Sequence, residues 1–137
     1  RVVANDDLHK YLPSADYVVI TAPLTPTTEG LINQRTLAQM KPEAVLINVG
    51  RGAVVVTDDL VGALQQKVIA GAALDVFEPE PLPPHHPLWD MPNVMMSAHM
   101  SGDFVGWRRA LGEQFKANLE RWLSSEALFN QVDKGKS

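Results

Sequence analysis

The chain has 137 residues, which is long enough for one domain with a hydrophobic core but short for two. Its 45 % hydrophobic and 20 % charged residues exclude a disordered protein, and the net charge of −4 without a basic stripe argues against nucleic acid as a partner. It has no cysteine and no apolar run near the ~18 residues of a membrane span, so we expect no disulfides, no thiolate metal site, no membrane partner and a cytoplasmic location.

The first third of the chain predicts two helices and one strand. Residues 5–12 begin with Asn and two Asp and carry two leucines four positions apart, which predicts a short helix. Residues 15–22 are rich in β-branched side chains and predict a buried strand, whereas 23–28 have the composition of a loop. Asn33 is a suitable N-cap for a helix through residue 40.

The middle of the chain predicts two further buried strands with a helix between them. Residues 44–49 are mostly apolar and end at a Gly-Arg-Gly corner, as a strand inside a parallel sheet does. Thr57 and two aspartates predict the start of a helix. Residues 69–75, with their small side chains, predict the next strand.

The last third predicts a stiff loop, a strand and a long helix. Residues 78–92 contain many of the chain's ten prolines, which predicts an irregular loop. Residues 93–98 predict a strand, and 103–124 predict an amphipathic helix because large apolar residues recur every three to four positions. The tail 125–137 is polar.

This order of elements predicts the fold class. Strands that alternate with helices indicate an α/β fold in which about four parallel strands are joined by right-handed crossovers and flanked by helices, with a long helix at the C-terminus. We assign residues 1–124 to one domain and 125–137 to a C-terminal tail.

Charged side chains follow the predicted strands at one shared edge of the sheet. Arg51, Asp75 and His99 each lie at the carboxyl end of a strand, and Glu80 follows Asp75 by five residues. Arg is a rigid two-pronged donor for a carboxylate, His exchanges a proton near neutral pH, and a carboxylate on the other imidazole nitrogen orients the ring. This set is suited to oxidising a hydroxyl next to a carboxylate, with the hydride leaving to a cofactor.

Each of these residues also has a purely structural interpretation. Arg51 could be a solvated charge at the rim, His99 a structural histidine and Glu80 part of the loop surface. His85 and His86 could form a metal pair, but no third ligand occurs at a suitable spacing, so we expect no metal.

Three segments occur in order along the chain: Asn48-Val-Gly-Arg-Gly52, Ala72-Ala-Leu-Asp-Val-Phe-Glu-Pro-Glu-Pro81 and His99-Met-Ser-Gly102. Together they resemble the NAD-binding domain of the D-isomer-specific 2-hydroxyacid dehydrogenases. Residues 15–28 and 128–133 are further matches, so the resemblance covers nearly the whole chain. The segment Asp-Val-Phe-x-x-Glu-Pro is highly specific for the family, and the resemblance implies a partial Rossmann-like sheet.

The resemblance also implies roles for individual residues. Arg51 would bind the carboxylate and carbonyl of the substrate, His99 would be the acid/base, and Glu80 would be its partner. The cofactor would be NAD, with NADP not excluded, and Asp75 would lie against its nicotinamide. The residues implied to contact the cofactor are Ala22, Pro23, Val49, Gly50, Arg51, Asp75, His99, Ser101 and Gly102.

The chain departs from the family pattern in its cofactor motif. It has no Gly-x-Gly-x-x-Gly turn, and the corner at residues 50–52 does not supply one because no third glycine follows and no helix is expected to start there. We therefore expect a C-terminal portion of a dehydrogenase that binds NAD weakly or not at all and is inactive alone. Met100-Ser101 replaces the commoner Ile-Gly, which leaves the identity of the hydroxy acid open.

Three functions remain open at this point. The first is part of an NAD-dependent dehydrogenase acting on a small 2-hydroxy or 2-oxo acid, and the second is a non-catalytic binding or assembly module. The third is a relative of formate dehydrogenase, against which Glu80 argues because an amide pairs with the histidine there. The strand at 15–22 would expose an apolar edge and the helix at 103–124 an apolar face, so we expect a homo-oligomer, such as a dimer, through these two elements.

Overall fold

The computed structural model describes residues 7–132, and within this part of the chain a four-stranded parallel sheet is the central element. Its strands are β1 (Tyr17–Ile20), β2 (Val45–Asn48), β3 (Gly71–Leu74) and β4 (Val94–Met96), and they lie side by side in chain order. Each strand pairs in parallel with the next along the chain. The predicted Rossmann-like α/β fold with a parallel sheet is therefore confirmed.

Helices precede the first strand, connect the strands and follow the last one. They are α1 (Leu8–Tyr11), α2 (Gln34–Leu37), α3 (Thr57–Gln65) and α4 (Trp107–Leu123). Short 3₁₀ helices lie at Leu12–Ser14, Gly52–Val54 and Pro87–Asp90. The predicted cap of α2 is confirmed, because the Asn33 side chain accepts hydrogen bonds from the N–H groups of Arg35 and Thr36.

Several element boundaries differ from the predictions. The last helix begins at Trp107 rather than Asp103, because Gly106 has a φ of 91° and its left-handed backbone is incompatible with an earlier start. The expectation that no helix starts at the Gly-Arg-Gly corner is wrong, since a 3₁₀ helix runs over Gly52–Val54. The helix expected at 5–12 spans Leu8–Tyr11, and Asn5 lies outside the described residues.

The core lies between the sheet, its helices and the proline-rich loop. Leu46 of β2, Leu37 of α2 and Leu60 of α3 are buried there. Leu82 and Leu88 of the loop are buried in the same cluster. Because burying a leucine side chain contributes about 1.5–3 kcal/mol, these two residues hold the loop, and hence Glu80, against the sheet.

The chain divides into two compact units, which are residues 1–101 and 102–137. In the second unit, Phe115 and Trp122 of α4 are each 69 % exposed. The segment after α4 folds back onto the helix. The Asn118 amide exchanges two hydrogen bonds with the backbone of Phe129, and the Arg121 guanidinium lies 4.5 Å from the centre of the Phe129 ring. Over residues 7–132 no helix is both long enough and apolar enough to cross a membrane.

Candidate active site

The turn that carries Arg51 is fixed by a buried amide. Asn48 ends β2 with 1 % of its surface exposed. Its Oδ1 accepts a hydrogen bond from the Gly50 N–H at 3.0 Å, and its Nδ2 donates one to the Arg51 carbonyl at 3.0 Å. A Cβ on Gly50 would lie 2.7 Å from the Ala22 carbonyl oxygen, so the turn after β2 packs directly against the backbone that leaves β1.

The same turn packs against the segment that leads to Glu80. A Cβ on Gly52 would lie 1.9 Å from the Phe77 carbonyl oxygen, a distance that only glycine permits. The Thr57 hydroxyl at the start of α3 donates a hydrogen bond to the Glu78 carbonyl at 2.9 Å. The loops that carry Arg51 and Glu80 are therefore joined backbone to backbone.

Glu80 and His99 are in direct contact, with His99 Nδ1 at 2.8 Å from Glu80 Oε1. An ionised carboxylate only accepts hydrogen bonds, so Nδ1–H donates to it and Nε2 is left to exchange a proton. The two side chains are 47 % and 37 % exposed, which leaves the imidazole accessible to a ligand. Arg51 lies at the same edge of the sheet, where its exposed side chain donates through Nη1 to the Gly50 carbonyl at 2.8 Å.

Asp75 is the buried anchor of the segment that carries His99. It is 2 % exposed, and its Oδ1 accepts hydrogen bonds from the Ser97 hydroxyl at 2.5 Å and the Met100 N–H at 2.9 Å. Its Oδ2 accepts one from the Ser101 N–H at 2.8 Å. Burial by itself raises the pKa of the Asp75 carboxyl, but these hydrogen bonds outweigh burial and hold the pKa well below its usual range. The carboxylate therefore stays ionised at neutral pH.

The other predicted cofactor contacts fall into three places. Ala22 and Pro23 follow β1, and Val49 and Gly50 follow β2, so these four lie at the carboxyl edge of the sheet. Ser101 is bound to Asp75, as described above. Gly102 is the first residue of the second unit and is exposed.

The small and apolar residues at the strand ends fit one end of a dinucleotide. Ala22, Pro23 and Val49 are apolar residues at the carboxyl ends of β1 and β2, and apolar side chains suit the face of a nicotinamide ring. No Gly-x-Gly-x-x-Gly turn follows a strand in residues 7–132, so the donors that bind a pyrophosphate are not among the described residues. The described residues thus fit the nicotinamide end of the cofactor rather than its phosphates.

An open, mainly apolar cavity of about 530 Å³ lies beside the Glu80–His99 pair. Its walls include Phe77, Met96 and Trp89, whose indole N–H is fixed by a 2.8 Å hydrogen bond to the Pro83 carbonyl. In residues 7–132 no cluster of three or more His, Cys, Asp or Glu side chains could hold a metal ion. His86 instead caps the 3₁₀ helix at Pro87–Asp90 by accepting the Leu88 N–H.

Two residues of this site have no role in the sequence-based interpretation: Asn48 and Ser97. Asn48 is a polar residue at the end of an otherwise apolar strand, which is a signal for a buried hydrogen-bonding anchor. Ser97 gives no comparable signal, because its contact with Asp75 joins residues 22 positions apart.

Residues 1–101 match the profile of the "D-isomer specific 2-hydroxyacid dehydrogenase, NAD binding domain" family. The chain belongs to this family. It is 51 % identical to a glyoxylate/hydroxypyruvate reductase B of Pectobacterium atrosepticum over 127 residues. This aligned region covers 93 % of this chain and 40 % of that protein.

Solved structures of D-2-hydroxyacid dehydrogenases are also similar. A D-isomer specific 2-hydroxyacid dehydrogenase from Xanthobacter autotrophicus in complex with NADPH and MES matches with a TM-score of 0.86 and 40 % identity over 96 % of this chain and 53 % of that chain. An NADPH-dependent glyoxylate/hydroxypyruvate reductase from Sinorhizobium meliloti in complex with NADP and sulfate matches with a TM-score of 0.87 and 36 % identity over 95 % and 42 %, respectively. The chain spans less than half the length of the curated relatives that it matches.

Proposed function

We propose that this chain is the catalytic portion of the cofactor-binding domain of an NAD(P)-dependent D-2-hydroxyacid dehydrogenase. Such an enzyme transfers a hydride between the nicotinamide cofactor and a small 2-hydroxy or 2-oxo acid. The observation that carries the proposal is the 2.8 Å contact between His99 Nδ1 and Glu80 Oε1, at the sheet edge that also presents Arg51. In this proposal residues 1–124 are the partial cofactor domain and 125–137 its tail.

Each of the three side chains has one task in the reaction. Arg51 binds the substrate carboxylate through two parallel N–H donors, which also turns the neighbouring carbonyl towards the sheet edge. His99 donates a proton from Nε2 to that carbonyl oxygen during reduction and takes it back during oxidation. Glu80 accepts the Nδ1–H of His99, which selects the tautomer and stabilises the charged imidazolium.

The cofactor contacts follow from the same edge of the sheet. When the nicotinamide is bound it supplies the hydride, or accepts it in the reverse direction. Ala22, Pro23, Val49 and Gly50 line its apolar side, and Asp75 and Ser101 lie at its polar side. Arg51 and His99 contact both the cofactor and the substrate. NAD and NADP are both compatible with these residues.

The proposed substrate class is a small 2-oxo acid such as glyoxylate or hydroxypyruvate. Similar proteins are named glyoxylate reductase or glyoxylate/hydroxypyruvate reductase. A guanidinium for the carboxylate and an imidazole for the carbonyl are the two groups that such a substrate requires.

By itself the 137-residue chain is expected to be inactive, because it lacks the phosphate-binding turn that gives a dinucleotide most of its fixed contacts. Isothermal calorimetry with NAD and NADP tests this expectation. We expect no heat of binding at micromolar protein, and a micromolar dissociation constant would contradict it.

The chain is further proposed to be a cytoplasmic protein that forms homo-oligomers. Tyr17 and Val19 of β1 are 68 % and 55 % exposed, and within residues 7–132 this strand is at the edge of the sheet, so its outer side is available for pairing with a second copy. The exposed apolar residues of α4 provide a second surface. Light scattering at tens of micromolar tests this, and a clean monomer would contradict it.

A chimera tests the activity. This chain replaces the 127 aligned residues of the Pectobacterium reductase, and the oxidation of NADH and NADPH is followed with glyoxylate or hydroxypyruvate. We expect turnover that falls about a hundredfold or more in His99→Ala, because a general acid/base is lost. Arg51→Ala should chiefly raise KM for the oxo acid.

Lys10→Ala is the matched control, since its ammonium forms only an exposed ion pair with Asp7 and it should leave the rate unchanged. A folded chimera with no turnover, or equal small effects of His99→Ala and Arg51→Ala, would favour the non-catalytic module instead.

A further inference from the structure

We propose that Asp75 is a positioning residue for His99: its carboxylate binds the backbone and the serine hydroxyl of the segment 97–101 and thereby aims the imidazole at Glu80. The inference rests on the proposed function in one respect, which is the role of His99 in proton transfer. The contacts made by Asp75 to this segment do not depend on that role.

The first step is that the imidazole has little packing of its own to orient it. His99 is 47 % exposed, and its partner Glu80 is 37 % exposed. A half-exposed ring samples several rotamers unless its backbone restricts it. The orientation of the imidazole is therefore set by the segment that carries it.

The second step is that this segment has an unfavourable backbone conformation. The φ of His99 is 53°, in the left-handed region that residues other than glycine rarely adopt. Such a conformation is energetically unfavourable and persists only when the surroundings fix it. A hydrogen-bond anchor is therefore required on one or both sides of His99.

Asp75 supplies that anchor on both sides. Two residues before His99 the Ser97 hydroxyl donates to Oδ1, and directly after it the N–H groups of Met100 and Ser101 donate to Oδ1 and Oδ2. The anchor is itself rigid, because the Asp75 N–H donates to the Asn48 carbonyl at 2.9 Å and the carboxylate is 2 % exposed. The three donors bracket His99 in the sequence, so the carboxylate holds the segment in the conformation that directs the ring to Glu80.

A carboxylate is the group that this arrangement requires. All three partners are donors, and an ionised carboxylate accepts from all of them. An amide in its place would turn an N–H₂ group towards at least one backbone N–H. Asp75→Asn therefore preserves size and burial but loses at least one hydrogen bond to the backbone that follows His99.

Two measurements distinguish positioning from a purely structural role. The first is a long-range ¹H–¹⁵N spectrum of the histidine side chains in the 137-residue chain, recorded at a pH where free histidine is neutral. We expect wild-type His99 to be protonated mainly at Nδ1, and Asp75→Asn to lose this preference and become a mixture of tautomers. Ser97→Ala, which removes one donor only, should show a smaller change in the same direction.

Asp59→Asn is the matched control, because Asp59 Oδ2 likewise accepts a backbone N–H, from Gln34 at 2.8 Å, in a part of the fold away from the strand ends. It should lower the stability without changing the His99 tautomer. If Asp75→Asn and Ser97→Ala lower the stability but leave the tautomer as in wild type, Asp75 is only structural and the proposal is overturned. If Asp75→Asn does not fold, Ser97→Ala decides in the same way.

The second measurement separates positioning from direct contact with the cofactor. In the chimera, a displaced imidazole should lower kcat, by on the order of a hundredfold for a displacement of about 1 Å, in addition to any increase in KM for NADPH from the lost nicotinamide contact. An increased KM for NADPH with kcat retained would overturn the proposal and leave Asp75 only its contact with the nicotinamide. The tautomer measurement needs no turnover, so an inactive chimera with a shifted tautomer would refute the proposed function and leave the positioning role standing.

Discussion

The turns that carry Arg51 and His99 solve the same problem with different chemistry. Each follows a parallel strand, each carries an exposed functional side chain, and each is fixed by one buried polar residue, Asn48 or Asp75. The two anchors are bonded to each other, since the Asp75 N–H donates to the Asn48 carbonyl. The Arg51 turn presents one N–H and one carbonyl, which a neutral amide satisfies, whereas the His99 segment presents three donors, which a carboxylate satisfies.

The comparison shows that the type of buried side chain matches the hydrogen-bonding groups that the turn presents. The same side chain then determines whether the stability of the turn depends on pH. An amide does not titrate, so the Arg51 turn should be insensitive to acid. A carboxylate loses its charge and part of its acceptor capacity when it is protonated, so the His99 segment should loosen in acid. In the proposed function the exposed residues perform the chemistry, and we infer that the buried ones determine where they point.

The largest expected effect comes from removing the close approach that joins the Arg51 turn to the Glu80 loop. In Gly52→Ala the new Cβ would meet the Phe77 carbonyl, and we expect a loss of about 3 kcal/mol or more in the free energy of unfolding. Urea unfolding followed by circular dichroism measures it.

Gly62→Ala is the control for that variant. Gly62 lies in α3, where an added Cβ would meet nothing closer than 3.9 Å, so alanine should stabilise the helix by about 0.5–1 kcal/mol. Equal effects of the two substitutions on the free energy of unfolding would contradict the close backbone contact between the Arg51 turn and the Glu80 loop.

The second prediction exchanges the chemistry of the amide anchor. Asn48→Asp keeps the acceptor for the Gly50 N–H but sets a carboxylate oxygen against the Arg51 carbonyl, so we expect a loss of about 2–3 kcal/mol at neutral pH. The introduced carboxyl would be stabilised in its protonated form, which donates to that carbonyl. The loss should therefore shrink in acid, as the introduced carboxyl gains its proton.

Asn118→Asp is the matched control, because Asn118 also exchanges two hydrogen bonds with backbone groups but in an exposed position. Water can replace the lost donor there, so the cost should stay below about 1 kcal/mol. A loss in Asn48→Asp that is independent of pH would be inconsistent with the interpretation.

The third prediction concerns acid. The pKa of Asp75 is lowered in the folded state, so its contribution to stability is fully present above the ordinary carboxyl pKa of about 3.9 and is lost as the pH falls below it. Wild type should exceed Asp75→Asn by on the order of 2 kcal/mol at neutral pH, and the difference should shrink progressively as the pH falls below about 3.9 towards the lowered pKa of Asp75. Unfolding free energies measured across this range check it, and parallel curves would contradict it.

The smallest expected effect on stability comes from changing the exposed pair of Glu80 and His99. Glu80→Gln should change the free energy of unfolding by less than about 1 kcal/mol, because both partners are partly solvated. In the chimera the same variant should lower kcat by about tenfold or more, since the amide no longer stabilises the imidazolium. A large loss of stability with unchanged turnover would make Glu80 a structural residue.

The sequence was sufficient to predict the four strands and their order along the chain, because the apolar stretches of β1 and β2 and the intervening helix signals are local. The prediction that the first strand is buried is wrong, since Tyr17 and Val19 of β1 are 68 % and 55 % exposed. The sequence also predicted that Arg51, Glu80 and His99 lie at one edge of the sheet, since parallel strands end on the same side. It was not sufficient to predict the anchors: the contacts of Asp75 with Ser97 and Met100 join residues more than 20 positions apart and depend on the register of β3 and β4.

Boundaries at glycines were also beyond local reasoning. Periodicity extends the last helix back to Asp103, but the helix begins only after Gly106 adopts its positive φ. The tight approach at Gly52 likewise depends on where Phe77 lies in the folded chain, which no local pattern encodes.

The junction between Gly52 and Phe77 has a consequence for protein engineering. Inserting or deleting a residue in either loop would displace both loops, so the length of one cannot change independently of the other. Attempts to graft a new substrate preference onto this scaffold should therefore transplant the two loops together, from the same donor.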